Sequence, residues 1–350
     1  MAAYTTIDNP ELYFQVKTYT GTGSDNALTL DGDENMQPDL VVLTRTNSAG
    51  GVFWIDSIRG VTKRIASNET AGEETTAEGL KAFGTDGFTV GSESGYNASN
   101  DTHVAWCWKA GTAWSNDACA TSVGSLDSSG TKNATAGFSI ISFTGTESGT
   151  PSVAHSLSST PEFIVSRPLE ITDNWMAWHD DLDSQDYLLL NTYASKASAS
   201  SVWNSVPSST VINMGDNAGV NDDGDMIMYA WHSVQGFSKF GTYTGNGNVD
   251  GPFVYLGFRP AWVLFKRTTG SVADWQIWDN KRDPENPVDG AAHWNQSYVP
   301  STDLDINFLS NGFKVLSNQG HLNTDGVEFI YYAVAEQPLV NSKGVPSNAR

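Results

Sequence analysis

The sequence predicts an all-β protein built from three tandem β-sandwich-like repeats of about 100 residues with short antiparallel strands. First, an aromatic, strand-like run containing Thr-Gly at or near its end occurs three times, at 14–23, 138–145 and 237–247. Second, a proline that opens an apolar run, a Trp-centred strand and a closing apolar strand follow each occurrence in the same order. Third, no long apolar stripe has helical spacing, and the best helical candidates are the short stretches 71–80 and 194–202.

The spacing of these landmarks supports the threefold repeat. The Thr-Gly glycines are separated by 124 and 100 residues, the prolines by 123 and 99, and the tryptophans by 121 and 100. Offsets that agree this closely are typical of a repeated structural unit. The landmarks are Gly21, Gly145 and Gly245; Pro38, Pro161 and Pro260; and Trp54, Trp175 and Trp275.

The repeat divides the chain into five parts. Residues 1–110 form the first repeat with a short N-terminal docking stretch, 138–236 the second repeat and 237–338 the third. Residues 111–137 are rich in Ser, Thr and Gly and are predicted as an insertion or linker. Residues 339–350 are predicted as a tail. Whether the three repeats are separate sandwiches or one fused β-body stays open at this point.

Several short runs of β-branched and aromatic residues predict the strands themselves. The runs at 40–43, 163–165 and 262–265 are bounded by turn-forming residues, which is typical of buried strands. Further strands are predicted at 88–90, 187–190, 211–214 and 313–316. Asp86-Gly87 and Asn311-Gly312 are dipeptides that favour hairpin turns.

The charge balance limits the partners. The chain has 40 acidic and 19 basic residues, a net charge of −21, and residues 138–236 carry 12 Asp or Glu against only Arg167 and Lys196. Such a surface repels phosphate backbones and anionic lipid, so no nucleic-acid partner is expected. There is neither an apolar export signal at the start nor a run long enough to span a bilayer, so we expect no membrane insertion and folding in a cytoplasm.

The sequence offers little catalytic chemistry. The six histidines lack zinc-site spacing, so no metal site or cofactor is predicted, and no catalytic residue is assigned. His179 precedes a group of aspartates, 180, 181, 183 and 186, but it ends the Trp strand where Asp56 and Asp279 stand, which favours a turn or rim residue. The acidic turns 31–35 and 221–225 have the alternating oxygens of a calcium loop but lack its full spacing, and hairpin turns use the same residues.

Tryptophan is the remaining candidate for recognition. Six indoles lie inside the apolar landmarks and are predicted to be core: Trp54, Trp106, Trp175, Trp231, Trp262 and Trp275. Trp114, Trp203 and Trp294 lie among Ser, Asn and His in loop-like sequence and are the predicted ligand-binding residues, exposed for contact with a glycan. Recognition is to be sought where the repeats differ. The differences are the insertion, the acidity of the second repeat and the basic pairs 266–267 and 281–282 of the third.

Several motifs taken together resemble a known family. They are ExYFQ (Glu11, Tyr13, Phe14 and Gln15), TYTGTG, QPDLVVL, WIDSIRGVTK, DGFTVG, HVAWCWKAG, GFSKFGTYTGNGNVDGPFVYLGFRPAWVLFKR and FLSNGFKV, within residues 4–338. This combination is similar to a poorly characterised domain family of structural proteins in tailed, especially marine, bacteriophages. The resemblance implies a tail fibre, appendage or capsid-surface component of a virion, assembled in the host cytoplasm, with other virion proteins as partners. It implies no catalytic residue, and it leaves open a homo-oligomer such as a trimer.

Three functions are therefore weighed. The favoured one is a non-enzymatic structural virion protein that displays β-sandwich loops on the particle surface. The alternative is a host-receptor or glycan-binding module that uses Trp203 or Trp294. A polysaccharide-degrading enzyme, with Asp181 or Asp183 in a carboxylate pair, is the least favoured because no enzyme motif accompanies those residues.

Overall fold

A computed structural model describes residues 4–346 of the chain and is almost entirely β, which confirms the predicted fold class. The three residues before this range belong to the predicted docking stretch, and 347–350 belong to the predicted tail; both lie outside the described residues. The helical candidates at 71–80 and 194–202 are not helices in the structure. Residues 74–75, 80–84 and 197–198 are strands instead, because the backbone of these stretches pairs with neighbouring segments, as in the bond from the Glu73 amide to the Leu169 carbonyl.

The first segment, residues 14–108, follows a 3₁₀ turn at Pro10–Leu12 and forms two sheets. Its large sheet has the order β1-β9-β3-β4-β5-β6, and its small sheet has the order β2-β8-β7. The elements are β1 (Phe14–Thr20), β2 (Asn26–Leu28), β3 (Leu40–Arg45), β4 (Phe53–Asp56), β5 (Lys63–Ala66), β6 (Glu74–Thr75), β7 (Leu80–Gly84), β8 (Gly87–Val90), α1 (Ser94–Asn97) and β9 (Thr102–Trp108).

The second segment, residues 112–231, begins inside the predicted insertion. The stretch 111–137 is not a free linker, since two of its strands extend the second large sheet, whose order is β10-β11-β12-β19-β14-β15-β16-β17; β13 and β18 form the small sheet. The elements are β10 (Thr112–Asn116), α2 (Ala118–Thr121), β11 (Ser128–Asn133), β12 (Phe138–Thr144), β13 (Ser152–Ala154), β14 (Phe163–Pro168), β15 (Met176–His179), β16 (Asp186–Leu189), β17 (Ala197–Ser198), β18 (Val211–Asn213), α3 (Ala218–Asn221) and β19 (Asp225–Trp231).

The third segment, residues 238–338, again has a large sheet, β20-β27-β22-β23-β24, and a small one, β21-β26-β25. In all three segments the strand that leads into the Thr-Gly landmark (β1, β12 or β20) pairs with the last strand, which pairs in turn with the strand at the landmark proline. That the segments are copies of one repeat stays a prediction. The elements are β20 (Ser238–Thr244), β21 (Phe253–Tyr255), β22 (Phe258–Arg267), β23 (Gln276–Asp279), β24 (Ala292–His293), β25 (Ile306–Leu309), β26 (Gly312–Val315), α4 (Gly320–Asn323) and β27 (Glu328–Pro338).

The predicted hairpins are present at both sites. β7 pairs with β8 through Gly84 and Gly87, and β25 pairs with β26 through Leu309 and Gly312, so each loop has two residues. At the first hairpin, Gly87 has φ +109°, a conformation that side-chain-bearing residues rarely adopt. The glycine therefore begins the second strand of this hairpin.

One apolar core is shared by all three segments. It joins the inner faces of the three large sheets, and its aromatic rings contact each other across segment boundaries. The ring centroids of Trp54 and Tyr229 are 5.2 Å apart, and those of Trp108 and Trp262 are 5.6 Å apart. Each segment has in addition its own outer core between its large and small sheets. The structure is thus one fused β-body rather than three separate sandwiches.

The Thr-Gly landmark marks a close approach to the short helix that precedes the last strand of each segment. A Cβ on Gly145 would lie 2.0 Å from the Asp222 carbonyl oxygen, so only glycine fits there. The last residue of that helix, Asn221, is fully buried; its side chain accepts a hydrogen bond from the Thr146 amide and donates to the Gly215 carbonyl. Asn97 and Asn323 make the corresponding bonds in the other segments.

The strand register corrects one landmark. Asp56, His179 and Asp279 pair with equivalent residues of the neighbouring strand, so these three positions correspond. The residues four positions earlier, which therefore also correspond, are Val52, Trp175 and Trp275. The counterpart of the two tryptophans in the first segment is thus Val52 and not Trp54. The backbone amides of Val52, Trp175 and Trp275 each donate a hydrogen bond to the side chain of an asparagine. The pairs are Val52 with Asn68, Trp175 with Asn191, and Trp275 with Asn295.

Candidate functional site

The six tryptophans predicted to be core are buried, each at 2% exposure or less. The three predicted to be exposed ligand contacts are not: Trp203 and Trp294 are buried at 2% and 0%, and Trp114 is half-buried against the outer core of the second segment. Trp294 lies 4.9 Å from Trp54 in the shared core. Neither Trp203 nor Trp294 presents a face on which a sugar could stack, so the prediction that they are exposed is wrong.

The position that ends each Trp strand bonds across a segment boundary. Asp56 accepts hydrogen bonds from the Arg59 guanidinium at 2.6 Å and the Tyr229 hydroxyl at 2.7 Å. Asp279 does the same with Arg282 at 2.6 Å and the Trp106 indole at 3.1 Å. The carboxylates are fully buried and join the first segment to the second and the third to the first.

His179 occupies the equivalent place between the second and third segments. It is buried at 1% exposure rather than lying on a rim, so that part of the prediction is wrong. Its Nδ1 accepts from the Asp181 amide and its Nε2 donates to the Tyr331 carbonyl. Burial lowers the pKa of His179 to about 4, so the ring is neutral at pH 7. Leu182 replaces the arginine found three residues on in the other segments.

In residues 4–346, His179, Asp180 and Asp181 are the one group of three His, Cys or carboxylate side chains that could hold a metal ion. Because His179 already uses both ring nitrogens, a metal would have to break the bond from the Asp181 amide. Burial, with Glu162 and Asp181 nearby, raises the pKa of Asp180 to about 7. The turns 31–35 and 221–225 do not supply such a group within these described residues. The side-chain oxygen of Asn221 already accepts a hydrogen bond from the Thr146 amide.

The basic pairs of the third segment are mostly structural. Lys266 is 1% exposed and donates to the carbonyls of Tyr193 and Ala273, at 3.2 and 2.6 Å, and so ties the third segment to the second. Arg167 has the same role between the second and first segments, where it donates to the carbonyls of Thr70 and Ala71. Burial lowers the pKa of Lys266 to about 7, because its nearest acceptors are neutral.

A cavity of about 340 Å³ in the outer layer of the third segment is a candidate site, because it combines buried polar side chains with open space. Its floor is Gln276 on β23 and His293 on β24, which pair with each other in the ladder. Both are buried, at 2% and 7% exposure, yet Gln276 Oε1 and His293 Nδ1 have no hydrogen-bond partner. Burial lowers the pKa of His293, so this ring is neutral.

The rim of this cavity combines one aromatic ring with polar side chains. Tyr298 is 61% exposed and lies edge-on to His293 at 6.3 Å. Asp274 sits at the side and is held by the amide groups of Asn295 and Gln296, at 2.7 and 3.2 Å. The remaining polar lining residues are Ser301, Asp303, Gln319 and His321.

Another cavity, of about 470 Å³, lies between the first and third segments. His103 lines it and stacks on Tyr19 with ring centroids 5.0 Å apart. Burial lowers the pKa of His103 to about 4. Threonine side chains and the exposed Lys281 make up much of the remaining wall.

Sequence reasoning missed the cavity of the third segment, although it carries a signal. The strand Gln276–Asp279 is QIWD, whereas the equivalent strands are FWID and MAWH, so only the third begins with a polar residue. This difference is visible only when the three strands are aligned by their pairing register. Aligning Trp54 with Trp175 and Trp275 shifts the first segment by two residues and hides it.

A family model described as a domain of unknown function, DUF7483, matches residues 9–338. No curated protein and no solved structure matches the chain. No helix within residues 4–346 is long and apolar enough to cross a bilayer.

Proposed function

We propose that this chain, which belongs to the DUF7483 family, is a non-enzymatic structural protein of a bacteriophage virion, in a tail appendage or on the capsid surface. The observation that carries the proposal is how the buried polar side chains are used. Asp56, His179 and Asp279 each bond across a segment boundary, and Arg167 and Lys266 do the same. Groups that could serve catalysis are thereby engaged in holding three sheets together.

The resemblance of the sequence motifs to structural proteins of tailed phages supports the virion assignment, and the shared core supports a display role. A body whose three sheets share one core holds its loops in fixed positions, as a surface component requires. The excess of acidic residues, 40 against 19 basic, favours a protein partner over nucleic acid. Other virion proteins are therefore the proposed partners, and a homo-oligomer such as a trimer is one arrangement compatible with them.

The test is to purify particles of a tailed phage that encodes this chain, quantify the chain by mass spectrometry and locate it by electron cryomicroscopy. The proposal predicts a fixed copy number that matches a symmetry element of the tail or capsid. Absence of the chain from intact particles would refute it.

Enzymatic activity is tested separately with the same purified protein. Asp181 and Asp183 are both exposed, in the turn after β15. Incubation with host polysaccharide should release no reducing ends. Release that is abolished by Asp181→Asn or Asp183→Asn, but not by Asp216→Asn, would favour the polysaccharide-degrading enzyme instead.

A further inference from the structure

The cavity of the third segment exists because polar residues replace an apolar pair. The floor pair Gln276 and His293 is equivalent in register to Phe53 and Ala66 in the first segment and to Met176 and Leu189 in the second. Phe53 is part of the outer core of its segment, where it stacks on Tyr96 at 4.9 Å. The same place in the third segment lies outside the outer core.

The short helix above the floor changes in the same way. In the first two segments its second residue is Gly95 or Gly219, and an added Cβ would lie 2.7 Å from the Phe53 ring or 2.6 Å from the Met176 side chain. Strand and helix are therefore in direct contact there. In the third segment the second residue is His321, whose side chain lines the cavity. Three coordinated differences open the space.

The floor presents polar atoms that lack partners. Gln276 Oε1 and His293 Nδ1 are both buried and unbonded, and both residues line the cavity. An unpaired buried polar atom is unfavourable, and the other two segments avoid it with apolar residues. Gln276 Oε1 and His293 Nδ1 themselves have almost no accessible surface, so a ligand in the cavity would bond the other polar atoms of the same two side chains, Gln276 Nε2 and His293 Nε2.

The lining indicates the ligand class. Asp274 and Asp303 at the wall and rim repel phosphate, carboxylate and sulfate groups. The floor itself is neutral, with an amide and a neutral imidazole, so it does not provide the buried carboxylate that an ammonium ligand needs. A side-chain amide and a neutral imidazole instead match hydroxyl groups, which both donate and accept. The exposed Tyr298 ring offers an apolar face beside them.

We propose that this cavity binds a neutral sugar, a hexose or N-acetylhexosamine unit, whose hydroxyls bond Gln276 and His293 while Tyr298 packs against the ring. The volume of about 340 Å³ accommodates one such unit. This is a binding site and includes no bond-breaking step. It does not depend on a virion location, since binding is measured on the purified chain.

The experiment uses the full chain with a panel of neutral hexoses and N-acetylhexosamines, the matching hexuronic acids, an alkylammonium salt and zinc chloride. Saturation-transfer NMR detects binding, and titration calorimetry measures it. We expect millimolar binding of at least one neutral sugar and about tenfold weaker binding of its uronic acid.

The variants take their residues from the second segment. Gln276→Met and His293→Leu install the apolar pair found at Met176 and Leu189, and each should weaken the sugar at least about tenfold without lowering the melting temperature. Tyr298→Ala should weaken it by a similar factor. Tyr193→Ala removes a comparably exposed tyrosine, at 53%, and should leave binding unchanged.

Three results would overturn the proposal. The first is that no neutral sugar of the panel binds. The second is that sugar binding persists in the Gln276→Met and His293→Leu variants. The third is that the ammonium salt or zinc, rather than a sugar, binds in a way that these variants abolish. Loss of sugar binding would leave the particle measurement unaffected, so the two proposals fail separately.

Discussion

Removal of the Asp56 carboxylate is the most informative perturbation of the scaffold. Asp56 is fully buried and accepts four hydrogen bonds, from the amides of Ile58 and Arg59, the Arg59 guanidinium and the Tyr229 hydroxyl. Asp56→Ala leaves the Arg59 side chain, 3% exposed, with Glu73 at 3.6 Å as its nearest carboxylate. Breaking a buried pair from one side typically costs about 3–5 kcal/mol. Because Glu73 remains, we expect about 3 kcal/mol.

Arg59 remains charged in the variant. Burial by itself lowers the pKa of Arg59, but the Asp56 carboxylate, with Tyr229 and Glu73, more than offsets this and holds it above its usual value. A guanidinium has no accessible neutral form, so it cannot escape the penalty by losing its proton.

The second segment supplies a matched rescue. His179 and Leu182 stand where Asp56 and Arg59 stand, and that segment packs well without the ion pair. The double variant Asp56→His with Arg59→Leu should therefore unfold at a higher urea midpoint than Asp56→Ala, although the Tyr229 hydroxyl loses its acceptor. Urea unfolding followed by tryptophan fluorescence measures both. A loss under about 1 kcal/mol in Asp56→Ala, or a double variant less stable than the single one, would refute the reasoning.

Three further outcomes follow from single sites. The folded-state pKa of Lys266, about 7, is below its unfolded value, so the unfolded state binds more protons than the folded state above pH 7. The stability of the wild type relative to Lys266→Met should therefore rise by about 1.4 kcal/mol per pH unit from pH 7 towards 10. Equal pH slopes of the two proteins in urea unfolding would contradict this. Asn323→Ala removes a fully buried side chain that accepts from the Asn246 amide and donates to the Ser317 and Asn248 carbonyls, and it should cost about 2–4 kcal/mol in the same assay. The matched control Asn204→Ala, at an exposed asparagine, should cost almost nothing. Gln276→Met removes an unpaired buried oxygen and should stabilise the protein by about 1 kcal/mol; a lower melting temperature would indicate that the amide is bonded.

Much of the fold could be predicted because strand signals are local. The apolar runs at 40–43, 163–165 and 262–265 became β3, β14 and β22, and both hairpin dipeptides lie where the strands turn. The apolar landmarks also placed six tryptophans correctly in the core. These predictions needed only the alternation and turn chemistry of the chain itself.

The burial of Trp203 and Trp294 could not be predicted from their neighbours in sequence. Trp294 lies among polar residues, yet its partners, Trp54 and Trp262, come from a different segment and a distant strand. Local composition does not report packing by distant parts of the chain, which come from another segment for Trp294 and from the outer core of its own segment for Trp203. The roles of Asp56, His179 and Asp279 were misjudged for the same reason, although Asp-x-x-Arg at 56–59 and 279–282, absent at 179–182, is a signal that sequence comparison could have found.

The central claim is that three sheets share one core and form a single body. Differential scanning calorimetry of the full chain tests it directly, by comparing the calorimetric enthalpy of unfolding with the van't Hoff enthalpy. One transition with equal enthalpies is the expected result, because the segments are joined by cross-boundary bonds such as Asp56 to Tyr229. Two or three separate transitions, each with its own enthalpy, would contradict the shared core.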